Sequence, residues 1–232
     1  MDVGARTHVG KVRRKNEDGY LIRGGLLAVA DGMGGHLAGE IASGTALMVL
    51  RDYPFGSGEP AAELEEAMRA AHARVRQLAA EEPSMAGMGT TLTVALLRPG
   101  RVHVGHVGDS RLYLWRRGEL RQMTADHSVA AELLRAGQID EAAARVHPHR
   151  HVLTRAIGAL PELEVDLIEF PLEPGDGLLL CTDGLSCLVD EEDMLRVLAE
   201  HPTAQAAADA LVQLALARGG IDNVTVVVAR PD

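Results

Sequence analysis

The chain has 232 residues, which fits one large domain or two small ones. Its formal net charge of −10 argues against a protein that coats nucleic acid or an anionic membrane. Only 3% of the residues are aromatic, so Leu, Val, Ala and Met must build the core. Cys181 and Cys187 are too few for a disulfide framework or a zinc site, and both are expected to be small buried apolar residues.

The first residues lack the charged-then-apolar pattern of a signal peptide, and no apolar run reaches the roughly 18 residues that a membrane span needs. The sequence therefore predicts a soluble, cytoplasmic protein that binds neither a membrane nor nucleic acid. We expect this protein to be a monomer. An anchor in a longer parent chain is compatible with this pattern.

Short β-like runs recur along the chain, and many are separated by turn signals such as Pro99-Gly100, Arg117-Gly118 and Pro174-Gly175. The predicted strands are residues 20–23, 26–30, 91–97, 101–107, 111–115, 163–170, 177–181 and 224–229. The close spacing from Thr91 to Gln122 predicts an antiparallel meander instead of alternating βαβ units.

Predicted helices fall into two groups. Gly39 to Arg51 and Ala61 to Ala80 follow the first strands, and the second of these carries one apolar stripe. The stripe consists of Leu64, Met68, Ala71, Val75 and Leu78. Near the C-terminus, Asp190 and Thr203 are placed to cap two further helices, the second of which runs to Gly219-Gly220.

Runs of strands that are separate from runs of helices predict an α+β fold. The expected architecture is a four-layer α-β-β-α sandwich, in which two mainly antiparallel sheets pack face to face with helices outside. We expect a single domain over residues 1–232. The polar, weakly helical segment from about Asp126 to His151 is predicted to be a surface excursion, or flap.

Four aspartates lie beside apolar strand-like runs, and each has a small or turn-forming neighbour. They are Asp31, Asp109, Asp183 and Asp222. Aspartates seldom lie at buried strand ends without a cation or hydrogen bonds, so the four, with Glu17-Asp18, could form an all-oxygen site for Mg²⁺ or Mn²⁺. Any one of them could instead only cap a turn.

Six motifs follow one another in order from about Thr7 to Val228. They are Arg13-Arg14-Lys15-Asn16-Glu17-Asp18, Asp31-Gly32-Met33-Gly34-Gly35-His36, Gly87-Met88-Gly89-Thr90-Thr91, Gly108-Asp109-Ser110-Arg111, Asp183-Gly184 and Asp222-Asn223. In this order and spacing the chain resembles the metal-dependent serine/threonine protein phosphatases of the PP2C (PPM) family. The resemblance is greatest to the compact bacterial members.

The resemblance implies a centre with two core Mn²⁺ or Mg²⁺ ions and a possible third. Asp31 would bridge the two core ions, and the backbone carbonyl of Gly32 would bind one of them. Asp183 and Asp222 would complete the other. These three aspartates would thereby be catalytic.

Further roles follow from the same resemblance. Asp18, with Glu17 beside it, would hold metal-bound waters. Asp109 would help to bind the third, weaker ion, together with Asp183. Arg13 lies five residues before Asp18, where the family places the arginine that binds the substrate phosphate. The alternative is that Arg13 only belongs to a solvated basic turn.

The histidines are less informative. Many eukaryotic members have a histidine directly after Asp-Gly, but Met33 stands there and His36 follows three residues later. His36 either reaches the substrate as a catalytic proton donor or is a partly exposed loop residue. Five other histidines give no pair of metal ligands at a convincing spacing: His103, His106, His147, His149 and His151. The last three of these lie in or beside the flap and could touch substrate.

The implied function is hydrolysis of phosphoserine and phosphothreonine in proteins by a metal-activated water. The substrates would be phosphoproteins, including the serine/threonine kinases that such an enzyme opposes. The alternative is a non-catalytic pseudophosphatase that binds phosphoproteins, although such relatives usually lose metal ligands. A cysteine-dependent phosphatase is disfavoured because Cys187, not arginine, stands six residues after Cys181. The acidic balance disfavours a metal-dependent nuclease.

Overall fold

Two antiparallel sheets form the centre of the protein in the computed structural model, which describes residues 1–34 and 38–231. The first sheet has the order β1 (Asp2–His8), β11 (Val224–Arg230), β10 (Gly177–Cys181), β7 (Arg111–Arg116) and β8 (Glu119–Gln122). The second has the order β2 (Asp18–Arg23), β3 (Leu26–Met33), β5 (Leu92–Arg98), β6 (Arg101–Val107) and β9 (Asp166–Pro171). The short β4 (Gly89–Thr90) pairs with the end of β3.

Helices cover the outer faces of the sheets. These covering helices are α1 (Ala38–Asp52) and α2 (Pro60–Glu81) on one sheet and α6 (Glu191–Glu200) and α7 (Ala204–Ala217) on the other. The remaining helices of the described residues are α3 (Val129–Arg135), α4 (Glu141–Val146) and the short α5 (Asp183–Ser186), with a 3₁₀ turn at Pro83–Met85. The predicted caps of the two C-terminal helices are confirmed. Asp190 accepts a hydrogen bond from the backbone N–H of Asp193 at 3.0 Å, and Thr203 accepts one from Ala206 at 3.2 Å.

Alternation along the central strands creates three separate layers of core. Leu27 and Val29 of β3 face the first sheet, whereas Leu26, Ala28 and Ala30 face α1 and α2. Likewise, alternate residues of β11 face either the second sheet or the layer of α6 and α7. Strands that are buried on both faces read as continuous apolar runs. The predicted four-layer α+β sandwich is confirmed.

The predicted meander from Thr91 to Gln122 is wrong. β5 pairs with β6 in the second sheet, but β7 pairs with β8 in the first sheet, so the chain changes sheets after β6. The change occurs at Gly108, whose φ of 112° is strained for other residues. Since strands of both sheets are buried on both faces, the apolar pattern could not reveal to which sheet each strand belongs.

Other boundaries differ from the predictions in smaller ways. β1 and β8 were not predicted because β1 contains few strongly apolar residues and β8 is polar apart from Leu120. β9 begins at Asp166, three residues later than predicted. The segment predicted as a flap contains α3 and α4. None of the helices in the described part of the chain has both the length and the apolar character that crossing a membrane requires.

Candidate metal centre

Five aspartates meet at one end of the two sheets, and we call them the carboxylate cluster. They are Asp18, Asp31, Asp109, Asp183 and Asp222. Asp18 begins β2 and lies directly opposite Asp31 near the end of β3. The other three follow β6, follow β10 or precede β11. Because neighbouring strands alternate in direction, these strand ends lie at the same edge of each sheet.

Asp31 is held in place through its backbone. Its N–H donates to the Thr91 hydroxyl at 2.9 Å, and its carbonyl accepts from the Thr91 N–H and the Thr90 hydroxyl, each at 2.9 Å. The Gly87-to-Thr91 motif thus serves to fix the central aspartate. No side-chain hydrogen bond occupies the Asp31 carboxylate among the described residues, so its oxygens stay free for a ligand.

Asp18 connects the two sheets. The Thr182 hydroxyl, at the end of β10, donates to Asp18 Oδ2 at 2.8 Å. The other oxygen, Oδ1, is buried and has no hydrogen-bond partner in the described part of the chain. Burial, together with the charges of Asp183 and Asp222, raises the pKa of Asp18 to about 7. An unpaired buried carboxylate oxygen is costly unless a cation approaches it.

The same electrostatic pattern extends through the carboxylate cluster. Burial and the charges of the other four members raise the pKa of Asp31 well above its usual range. Burial and the charge of Asp183 do the same to the pKa of Asp109. Asp183 also has a buried oxygen, Oδ1, without a partner among residues 1–34 and 38–231. These oxygens fit a hard divalent cation such as Mn²⁺ or Mg²⁺.

A second set of oxygens lines a space beside the start of α1. The Gly32 N–H donates to the Glu17 carbonyl at 3.1 Å, which brings the two residues together. A β-carbon at Gly39 would lie 2.8 Å from both the Gly32 carbonyl oxygen and Glu17 Oε2. Glycine at position 39 therefore leaves room next to two of the predicted oxygen ligands. Burial raises the pKa of Glu17.

Arg13 lies beside the carboxylate cluster on an exposed loop. Its Nη2 donates to Asp222 Oδ2 at 2.7 Å, and 56% of its side chain is exposed. The neighbouring Lys11 N–H donates to the Gly220 carbonyl at 2.7 Å, which holds this loop against the residues that precede β11. The guanidinium is thus held at the carboxylates while part of it still faces solvent.

Asn223 fixes the loop that carries three of the predicted residues. Its Oδ1 accepts from the Glu17 N–H at 2.8 Å, and its Nδ2 donates to the carbonyls of Val9 and Lys15 at 2.9 and 2.8 Å. Sequence reasoning noted Asn223 only as part of a motif and missed this role. The signal was an asparagine beside a candidate ligand, which is also typical of a simple turn.

The turn of Asp109 is tied to the root of the flap. The His127 N–H donates to the Gly108 carbonyl at 2.8 Å, and the Gly108 N–H donates to His127 Nδ1 at 3.1 Å. His127 Nε2 lies 3.0 Å from Asp166, which also pairs with Arg155 at 2.8 Å. Burial lowers the pKa of His127, so the ring is neutral and donates from Nε2. No pattern in the sequence indicated this arrangement.

Two further predictions concern residues near the site. Cys187 is exposed, so the expectation that both cysteines are buried is wrong for it, whereas Cys181 is buried. Cys187 caps the short α5, which begins at Asp183, so it lies at the site edge and not in the core. Although the residue as a whole is exposed, partial burial of its thiol group and the charges of Asp183 and Asp109 raise its pKa to about 12. His36 lies outside the described residues, and its role stays a prediction.

Comparison with known proteins gives consistent matches over nearly the whole chain. The family model described as protein phosphatase 2C matches residues 15–217. The chain is 43% identical to the serine/threonine protein phosphatase PstP of Mycobacterium tuberculosis over 97% of its length, but it spans only 44% of that relative. It is 37% identical to the serine/threonine phosphatase Stp of Listeria monocytogenes, with coverage of 100% of this chain and 96% of the relative.

A solved structure extends the comparison to three dimensions. The catalytic domain of the serine/threonine protein phosphatase PstP, in complex with two manganese ions, superimposes with a TM-score of 0.90. The two sequences are 40% identical, and the match covers 97% of this chain and 96% of the other. The likeness therefore includes the arrangement of both sheets.

Replacement of Asn223 by Ala should weaken Mn²⁺ binding, because the loop with Arg13, Glu17 and Asp18 loses three hydrogen bonds. We expect a loss of about 1–3 kcal/mol in the free energy of unfolding. Calorimetric Mn²⁺ titration should show weaker binding. Gln205→Ala is the matched control, since it removes two side-chain-to-backbone hydrogen bonds that join α7 to Ala5 of β1. Equal Mn²⁺ affinity of both variants would contradict the role of Asn223.

Replacement of Asp18 by Asn should stabilise the metal-free protein at high pH. The folded-state pKa of about 7 lies above the unfolded value, so the wild type loses stability relative to the variant as pH rises from about 4 to about 7. Above pH 7 the free energy of unfolding of the variant should exceed that of the wild type by about 2 kcal/mol, after allowance for solvent screening. Urea unfolding in EDTA at pH 4.5 and 8 measures this. A difference that does not grow with pH would refute the pKa shift.

Proposed function

The chain belongs to the protein phosphatase 2C family, and we propose that it hydrolyses phosphoserine and phosphothreonine in proteins with Mn²⁺ bound at the carboxylate cluster. One observation carries the proposal: five like-charged groups meet at one point, and two of them have buried oxygens without partners. A cation is the simplest compensation for such a site. The solved relative with two manganese ions supports the choice of metal.

The ligand set that we propose is the one implied by the family resemblance. Asp31 would hold both core ions, the Gly32 carbonyl would bind one of them, and Asp183 and Asp222 would complete the other. Mg²⁺ suits the same all-oxygen set. When bound, two such ions activate a water and neutralise the charge that develops on the phosphoryl group.

Asp18 and Glu17 would hold waters that are bound to the ions instead of binding the ions directly. Asp18 accepts from Thr182 through one oxygen, so its other oxygen is available to orient a water. The Glu17 carboxylate borders the same space as the Gly32 carbonyl oxygen. Asp109 has Asp183 as its main charged neighbour, which supports the proposal that these two residues share a third ion.

We assign Arg13 to the substrate phosphate. Its guanidinium is half exposed and already beside Asp222, so it can donate to phosphate oxygens at the edge of the metal centre. The positive charge draws an anionic group to a chain whose net charge of −10 would otherwise repel it. Its ion pair with Asp222 keeps it oriented in the absence of substrate.

Phosphoproteins are the substrates we propose, with serine/threonine kinases among them. The monomeric state and the single domain over residues 1–232 remain our expectation. The alternative of a non-catalytic binding module lacks support, because every carboxylate that the family uses is present and the described members of the cluster meet. The flap borders the site through His151, which lies 3.4 Å from Asp183.

Hydrolysis of a phosphothreonine peptide tests the activity directly. Turnover should vanish in EDTA and return with Mn²⁺. Asp31→Asn should lower kcat at least about 10³-fold, because it removes the shared charge of the centre. Folded protein without turnover in any metal would favour the binding module, and near-normal turnover of Asp31→Asn would refute the ligand assignment.

Removal of Arg13 should affect substrate binding more than metal binding. Arg13→Ala is expected to raise KM about tenfold or more for a phosphopeptide, since a charge-assisted contact contributes about 1.5–3 kcal/mol. Mn²⁺ affinity should stay within about twofold. Arg14→Ala, the exposed neighbour, is the matched control and should leave KM unchanged. If both variants raise KM equally, the effect comes from the loss of one positive charge near the site, and the assignment of Arg13 to the phosphate is wrong.

A further inference from the structure

A cluster with different chemistry lies at the rim of the carboxylate cluster. It consists of His151, Asp183 and Cys187, and one potential ligand atom from each lies within 4.8 Å of the others. His151 Nδ1 is 3.4 Å from Asp183 Oδ2. The set combines nitrogen, oxygen and sulfur, whereas the candidate metal centre offers oxygen alone. We call it the rim cluster.

The local helix explains why Asp183 and Cys187 share a face. Asp183 is the first residue of α5, and the N–H of Cys187, four positions later, donates to the Asp183 carbonyl at 2.8 Å. Residues separated by four positions lie above one another on a helix. His151 comes from the far end of the flap and completes the set from the opposite side.

We propose that the rim cluster is a binding site for a thiophilic divalent cation such as Zn²⁺ or Co²⁺. Mixed imidazole, thiolate and carboxylate ligands favour these ions over Mg²⁺ and Mn²⁺, which prefer oxygen. Ligands at about 2.0–2.3 Å from a tetrahedral ion lie about 3.5 Å apart. His151 and Asp183 already have this separation, so only the wider separations in the rim cluster, which reach at most 4.8 Å, need to close, by about 1 Å. The His151 side chain is 46% exposed and has room to move.

The two oxygens of Asp183 point to different neighbours, since Oδ2 is the one that lies 3.4 Å from His151 Nδ1. Asp183 Oδ1 is buried and has no hydrogen-bond partner in the described ranges of the chain. One oxygen of Asp183 thus faces His151 while the other lacks a partner. The carboxylate can therefore serve an ion at the rim and an ion in the centre, although not with equal strength at once.

Occupation of the rim cluster has two consequences. It joins the flap to α5 through His151, and it draws the charge of Asp183 away from the candidate metal centre. Zn²⁺ should therefore inhibit the Mn²⁺-loaded enzyme, a consequence that rests on the proposed phosphatase activity. Binding of the ion itself does not depend on that activity.

The binding test uses Co²⁺ as a spectroscopic probe on protein preloaded with Mn²⁺. A thiolate bound to Co²⁺ gives an intense near-ultraviolet charge-transfer band. The band should rise to saturation at one equivalent in the wild type and be absent from Cys187→Ser, because Cys181 is buried in the core. Co²⁺ uptake without this band would overturn the proposal, whether or not the protein turns over substrate.

The inhibition test compares matched variants at saturating Mn²⁺. Cys187→Ser should keep the basal activity of the wild type, and both Cys187→Ser and His151→Ala should raise the Zn²⁺ concentration for half-inhibition at least tenfold. His149→Ala is the control, since His149 is exposed and lies outside the rim cluster. Unchanged Zn²⁺ sensitivity of Cys187→Ser would show that zinc acts by displacing manganese from the centre, contrary to the proposal.

Discussion

Mutual repulsion among five carboxylates is the constraint around which this structure is organised. Burial and like charge raise the pKa values of Asp18, Asp31 and Asp109, so each ionised group costs folding free energy. A flexible site would relieve the strain by moving the groups apart. Two sheets packed face to face prevent this, because every member lies at the end of a strand or within two residues of one. A bound cation removes this repulsion, so the repulsion in the metal-free protein favours cation binding.

Hydrogen bonds to the backbone supply the precision that the strands alone lack. Thr91 forms hydrogen bonds with both the backbone N–H and the backbone carbonyl of Asp31. Asn223, directly before β11, forms hydrogen bonds with the loop that precedes β2. The Thr91 contacts leave the Asp31 carboxylate oxygens unused. Thr182 donates to one oxygen of Asp18 and leaves the other without a partner among the described residues. Asp222 differs, since its oxygens accept from the Asn223 N–H and from Arg13. Rigid support with free ligand atoms is what a preorganised electrostatic site requires.

The sequence predicted the carboxylates well and their supports poorly, for a physical reason. Asp31, Asp183 and Asp222 interrupt apolar runs where an unpaired charge is costly, so each stands out in the sequence. Asn223 contacts Glu17, which is 206 positions away in the sequence, and His127 contacts Gly108, which is 19 positions away. No local pattern encodes such contacts. The change of sheet at Gly108 was missed for a similar reason, since both sheets bury both faces of their strands.

Asp183 shows how one side chain can serve two kinds of chemistry. Toward the centre its neighbours as candidate metal ligands are other carboxylates, which favour hard cations. Toward the rim it meets an imidazole and a thiol, which favour softer ones. Because the imidazole comes from the flap, the choice of metal is coupled to the position of a segment that borders the substrate. A change of one residue at the rim would therefore alter metal selectivity without any change to the centre itself.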